Sequence, residues 1–142
     1  VREVHAVRRA LTDSQRAVAA HWDCNPYVMH VQGHSMFATK KISPGGHWML
    51  IAGAAARRTG ADAPRTAEVL ARTALALADG FINAWAEKYR TGTIRPETVI
   101  NSHLDPAWEP LLQTPPFPEY TSGHSVISNA AARVLTDLFG PT

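Results

Sequence analysis

Two cations and a helix start are the parts of this 142-residue sequence best equipped for chemistry. Lys88 is followed by Tyr-Arg-Thr-Gly-Thr-Ile and then by Arg95-Pro96. Gly92 breaks a helix, and Pro96 pushes Arg95 out of the α region, so the chain can turn and bring Arg95 back toward Lys88. Two fixed cations repel each other, an arrangement that makes sense where a multiply charged anion lies between them. Arginine offers a planar fork of donors and lysine a point charge. The competing interpretation is a solvated helix end, where basic side chains favour the macrodipole without any ligand.

Ser122-Gly123-His124 follows Pro115-Pro-Phe-Pro-Glu-Tyr-Thr and opens a second helix. Ser122 is an N-cap residue, and the leading amides of a helix carry partial positive charge that attracts an anion. Gly123 has no side chain to keep an oxyanion from those amides. His124, on the first turn, can donate a hydrogen bond or transfer a proton near neutral pH. An ordinary capped helix with a surface histidine would carry the same residues.

The elements that must position these residues are helices separated by Pro and Gly. Thr12 with Gln15 predicts a capping box and a helix running to Trp22, ended by Asn25-Pro26. Residues 26–42 lack a period and are expected to form a long ordered loop. Ser43-Pro44 opens a helix over about 44–59, stopped by Gly60. Asp62 and Pro64 open the longest helix, over about 64–91, closed by Gly92. Its apolar positions Val69, Leu70, Leu77, Phe81, Ile82 and Trp85 recur at helical spacing, which predicts packing on more than one side. Six prolines in 93–121 exclude a long helix there, and Ser122 to Phe139 forms the last one, ended by Gly140-Pro141. The fold class expected is all-α, a single helical domain over 1–142 that forms part of a larger helical bundle.

Lys88, six residues, Arg95-Pro96 and later Ser122-Gly123-His124 resemble the first two motifs of the type 2 phosphatidic acid phosphatase superfamily. That superfamily includes the vanadium-dependent haloperoxidases and the bacterial class A acid phosphatases. Thr121 stands where its pattern has Pro. The stretches Ile42-Ser-Pro-Gly-Gly-His-Trp48, Asp105-Pro-Ala-Trp108 and Leu112–Tyr120 are similar to soluble bacterial haloperoxidase-related proteins, so the resemblance covers most of 21–139. It implies that Lys88, Arg95, Ser122, Gly123 and His124 bind vanadate or phosphate. In a haloperoxidase, vanadate is the cofactor and activates hydrogen peroxide toward a halide. Lys88 then polarises the peroxide, and His124 is the acid–base partner. In a phosphomonoesterase acting on a phosphate ester, no cofactor is needed and His124 protonates the leaving group. A third alternative is a non-catalytic helical domain with relic motifs.

The resemblance also implies a third motif, Ser-Arg followed by His, that supplies another oxyanion-binding arginine and the vanadium-ligating histidine. After His124 the sequence offers one cation, Arg133, which follows no serine, and no histidine. The metal-ligating residue is therefore expected beyond Thr142, and this chain alone is expected to be inactive. Losing one charge-assisted contact weakens anion binding by roughly 1.5–3 kcal/mol. The resemblance favours an exported protein, although residues 1–20 show no signal-peptide core.

Composition sets the remaining bounds. A net charge of +2, with no basic block beyond Arg57-Arg58, gives no footprint for nucleic acid. Trp48–Ala56 is too short to span a membrane, and Val69–Trp85 is interrupted by Arg72 and Asp79, so a soluble domain is expected. Cys24 is the single cysteine and is expected to be a small buried residue. His30 and His34 would share a face on a helix as zinc ligands do, but Gly33 argues against a helix there. His47 and Trp48 suggest packing or interface residues, His103 and Asp105 could line the site but fit a turn between the motifs better, and Trp22, Trp85 and Trp108 suggest core.

Overall fold

The computed structural model describes residues 1–23, 27–32, 35–40 and 42–141, with the backbone alone between 27 and 40. Its elements run α1 (Arg2–Ala10), α2 (Asp13–Trp22), β1 (Tyr27–Gln32), β2 (Ser35–Lys40), α3 (Pro44–Arg58), α4 (Ala63–Thr91), α5 (Pro96–His103) and α6 (Gly123–Phe139).

The helix starts follow their capping chemistry. Thr12 and Gln15 form a reciprocal capping box at α2, and the side chains of Ser43, Asp62 and Ser122 each accept an amide of their own first turn. Gly92 closes α4 in the left-handed conformation (φ 59°, ψ 30°), with its amide donating to Lys88 O at 2.9 Å. Arg95 is extended (φ −71°, ψ 144°), as a residue before proline must be, and serves as the N-cap of α5.

The core is three helices. Ala52 and Ala56 of α3 are fully buried against Val69 of α4, with Leu135, Leu138 and Phe139 of α6 closing around them. Leu77 meets Ile127 and Ala131 of α6, covered by Trp48 and Met49. Helices α4 and α6 pack against each other at Gly80, where an added Cβ would meet Ala130 and Val126 at the ordinary contact distance of 3.6 Å. Trp48 also donates to Ser128 Oγ at 3.0 Å, which ties α3 to α6.

The helical-bundle fold class holds, with one addition and several corrections. Residues 27–32 and 35–40, within the stretch 26–42 expected to be loop, pair as antiparallel strands, Tyr27 with Lys40 and Gln32 with Ser35. His30 lies on this strand opposite Phe37, so the helical spacing that would make it share a face with His34 does not apply. His34, Cys24 and Asn25-Pro26 lie outside the described residues. Helix α1, with no side-chain cap and no buried residue, was not expected at all. It docks on the α5 region through His5 to Asp105 (3.4 Å) and Arg8 to Glu109 O (3.2 Å). Trp22 is 64% exposed rather than core. Ile82 is likewise on the open side of α4. Trp108 is buried as expected. Among the described residues no helix is long and apolar enough to cross a membrane.

Candidate functional site

The buried residues of α4 are Val69, Thr73, Leu77, Ala84 and Lys88. Their spacing follows the helical period, so Lys88 extends the core-facing stripe by one more turn. Its exposure is 2%, which removes the solvated-helix-end interpretation. The ammonium donates to the carbonyls of Pro118 (2.9 Å) and Glu119 (3.0 Å), and lies 5.0 Å from the centre of the Phe117 ring and 5.6 Å from that of Trp85. Burial, with the Arg95 charge adding to it, holds the Lys88 amine below the usual lysine range, while Glu119 opposes the shift.

Arg95 meets the same strap from the other side. Its Nε donates to Phe117 O (2.7 Å), one terminal nitrogen to Pro118 O (3.3 Å) and the other to a Glu119 carboxylate oxygen (2.9 Å). The two cations thus share Pro118 O. Residues 117–119 carry consecutive carbonyls between them, and Glu119 N donates to Thr93 O (2.9 Å), which anchors the strap to the turn after α4.

Helix α6 begins directly beyond the strap. Ser122 Oγ accepts from the amide and the hydroxyl of Ser125, at 3.2 and 3.0 Å, so its own proton remains available to donate. Among the described residues the amides of Gly123 and His124 have no acceptor, as expected of a helix start. A Cβ on Gly123 would lie 2.9 Å from the Trp85 ring. The glycine is therefore required by the indole packed against it, a reason the sequence did not suggest. Trp85 stacks on Phe81 (ring centres 3.8 Å, interplanar 13°) and leans on Phe117 (4.8 Å).

All five expected residues, Lys88, Arg95, Ser122, Gly123 and His124, line one cavity of about 710 Å³. One wall is apolar, made by Leu77, Phe81, Trp85, Phe117 and Ile127. Ser43, Pro44 and Gly45 line it as well, so the amino ends of α3 and α6 border the same cavity as the cations. The cavity thus gathers two formal positive charges and two helix amino ends against one carboxylate, an environment suited to a tetrahedral oxyanion.

The VCPO second helical-bundle domain family matches residues 68–141, which contain both motifs. The chain belongs to the vanadium haloperoxidase superfamily. A solved structure of a bacterial vanadium-dependent iodoperoxidase is similar over 98% of this chain, with 51% identity and a TM-score of 0.82. This chain spans 33% of that one. A comparison with curated proteins finds no match.

Other candidates fall away from the cavity. Asp105 accepts from His5 and from the amide of Ala107 in a local turn, and neither it nor His103 lines the site. Arg133 pairs with Asp137 on the exposed side of α6. Among the described residues there is no cluster of His, Cys, Asp and Glu able to hold a metal cation. Sequence reasoning missed Trp85 as a site residue, as well as Phe117, Glu119 and the start of α3. Trp85 precedes Lys88 by three positions on a helix, so the two had to share a face, and that signal was readable.

Proposed function

We propose that this chain provides two of the three oxyanion-binding motifs of a vanadium-dependent haloperoxidase that oxidises halide, iodide first among them, with hydrogen peroxide. The observation carrying the proposal is the convergence of buried Lys88, Arg95 and the amino end of α6 on one cavity. Lys88 and Arg95 balance the charge of the anion, Ser122 Oγ and the first amides of α6 donate to its oxygens, and His124 exchanges a proton with a reacting oxygen. Vanadate, held there, would supply the activation of peroxide. The cavity residues fit such a group: donors and positive dipoles face it, with Glu119 the one acid among the lining residues. The third motif, with its arginine and ligating histidine, is absent from these 142 residues.

The test is iodide oxidation by a protein that carries these residues together with that third motif, measured before and after vanadate is added. Vanadate-dependent oxidation that Lys88→Ala abolishes is expected. Hydrolysis of a phosphate ester that vanadate inhibits, without any iodide oxidation, would reassign the site to a phosphatase. Neither activity would leave the motifs as relics.

A further inference from the structure

Every nitrogen of the Arg95 guanidinium is engaged, but its partners are not alike. Phe117 O and Pro118 O are neutral carbonyls that orient the fork. Glu119 alone brings charge, through a 2.9 Å ion pair in which Arg95 is 19% and Glu119 45% exposed. A pair this open to water adds little to stability, so the fold has small need of it. What it changes is the field inside the cavity. Lys88 and Arg95 present two positive charges, and the carboxylate on the cavity wall offsets one of them.

Glu119 does not plug the site. An ammonium has three N–H donors, and Lys88 uses two; a guanidinium has five, and Arg95 uses three. Among the described residues three donors therefore remain, one on Lys88 and two on Arg95. Both side chains line the cavity, so an anion there need not displace Glu119 from Arg95 to find a donor.

We propose that Glu119 is the positioning residue that sets oxyanion affinity: it fixes the Arg95 fork and offsets one of the two charges an incoming anion meets. This rests on the oxyanion reading given above. It makes the site a deliberately moderated anion trap, in which affinity is held below what the two cations alone would give. Glu119 is a feature of this sequence that the two cation and helix-start motifs do not specify.

The experiment is orthophosphate binding to the 142-residue chain by calorimetry, in wild type, Glu119→Gln, Glu119→Asp and Lys88→Met. Glutamine keeps an acceptor oxygen for Arg95 and removes only the charge. Glu119→Gln is expected to bind about tenfold more tightly, the size of one unit charge several ångströms away in a partly solvated site. The gap should narrow as salt is raised from about 0.05 to 0.5 M, because screening removes a charge effect and leaves a packing effect untouched. Glu119→Asp, which keeps the charge, should stay near wild type. A Glu119→Gln chain that binds no more tightly than wild type overturns the assignment of Glu119 alone. So does one that loses its helical circular dichroism, because the residue would then be a structural tether. Phosphate binding that is missing throughout, or that Lys88→Met leaves intact, overturns the oxyanion site itself and the Glu119 assignment with it.

Discussion

The two halves of the site are built on opposite terms. The cationic half buries Lys88 and half-buries Arg95, places two like charges close together, and holds them with three consecutive carbonyls and a carboxylate. The half at the start of α6 is open to solvent and uses ordinary capping. Any helix can begin with a capping serine and leave its first amides free. A lysine at 2% exposure beside an arginine has no such generic explanation. The lesson is that buried Lys88 beside part-buried Arg95 is the half of the site that ordinary helix chemistry does not explain, while the start of α6 is generic.

Replacing Lys88 by Met is the largest test of that contrast. Oxyanion affinity should fall about 10- to 100-fold, the range of one charge-assisted hydrogen bond. Stability should change much less, because two effects oppose each other. Glu119 O loses its donor, whereas a desolvated cation is removed from beside Arg95. Calorimetry and a thermal melt on the same samples check both. A large loss of stability would make Lys88 a structural residue and erase the distinction between the halves.

The same residue gives a signature in pH. Its folded pKa lies below that of the unfolded chain, so between the two values the unfolded state holds more protons. The full penalty is present below the folded value and is relieved as pH climbs toward the ordinary lysine range. The stability difference between wild type and Lys88→Met should therefore shift in favour of wild type with rising alkalinity. Oxyanion binding to wild type should fall over the same window as the ammonium loses its charge. Stability and binding that move in parallel would contradict this account.

Gly123→Ala tests the helix start where it touches the buried half. The new Cβ would sit 2.9 Å from the Trp85 ring, which stacks on Phe81 and makes a tilted contact with Phe117. Overpacking of this kind destabilises by about 1–3 kcal/mol. A denaturant titration checks it, and an unchanged midpoint would mean that the aromatic wall yields freely.

How much of this could be read in the sequence depended on the range of each signal. Caps and stops act within one turn, so Thr12 with Gln15, Ser43-Pro44, Gly92 and Ser122 placed helix ends correctly. The strand pair was missed because Met29, His30 and Gln32 blur the alternation of β1. Helix α1 was missed because it starts without a cap and buries nothing. Trp22 was misjudged because size alone does not say which side of α2 is covered. The five candidate site residues were named from type and spacing together with the family resemblance, and the structure gathers them around one cavity. Glu119 was not, because its partner Arg95 is 24 positions away and only the folded strap joins them. Nor was the contribution of α3, whose start reaches the cavity through tertiary packing.

His124→Ala should give the smallest effect on this chain. The residue is exposed, and among the described residues its side chain has no hydrogen-bond partner, so folding stability should stay within about 0.5 kcal/mol of wild type. An imidazole donor on an open helix start contributes one modest hydrogen bond to a bound oxyanion. Affinity should therefore drop only about two- to tenfold, the range of a neutral hydrogen bond. Calorimetry beside Lys88→Met measures the ratio of the two losses. If His124→Ala abolished binding as fully as Lys88→Met, the open half would be holding the anion and the contrast between the two halves would fail. If it left binding almost untouched, the imidazole would be free to act on a reacting oxygen, and its contribution would then appear in turnover alone.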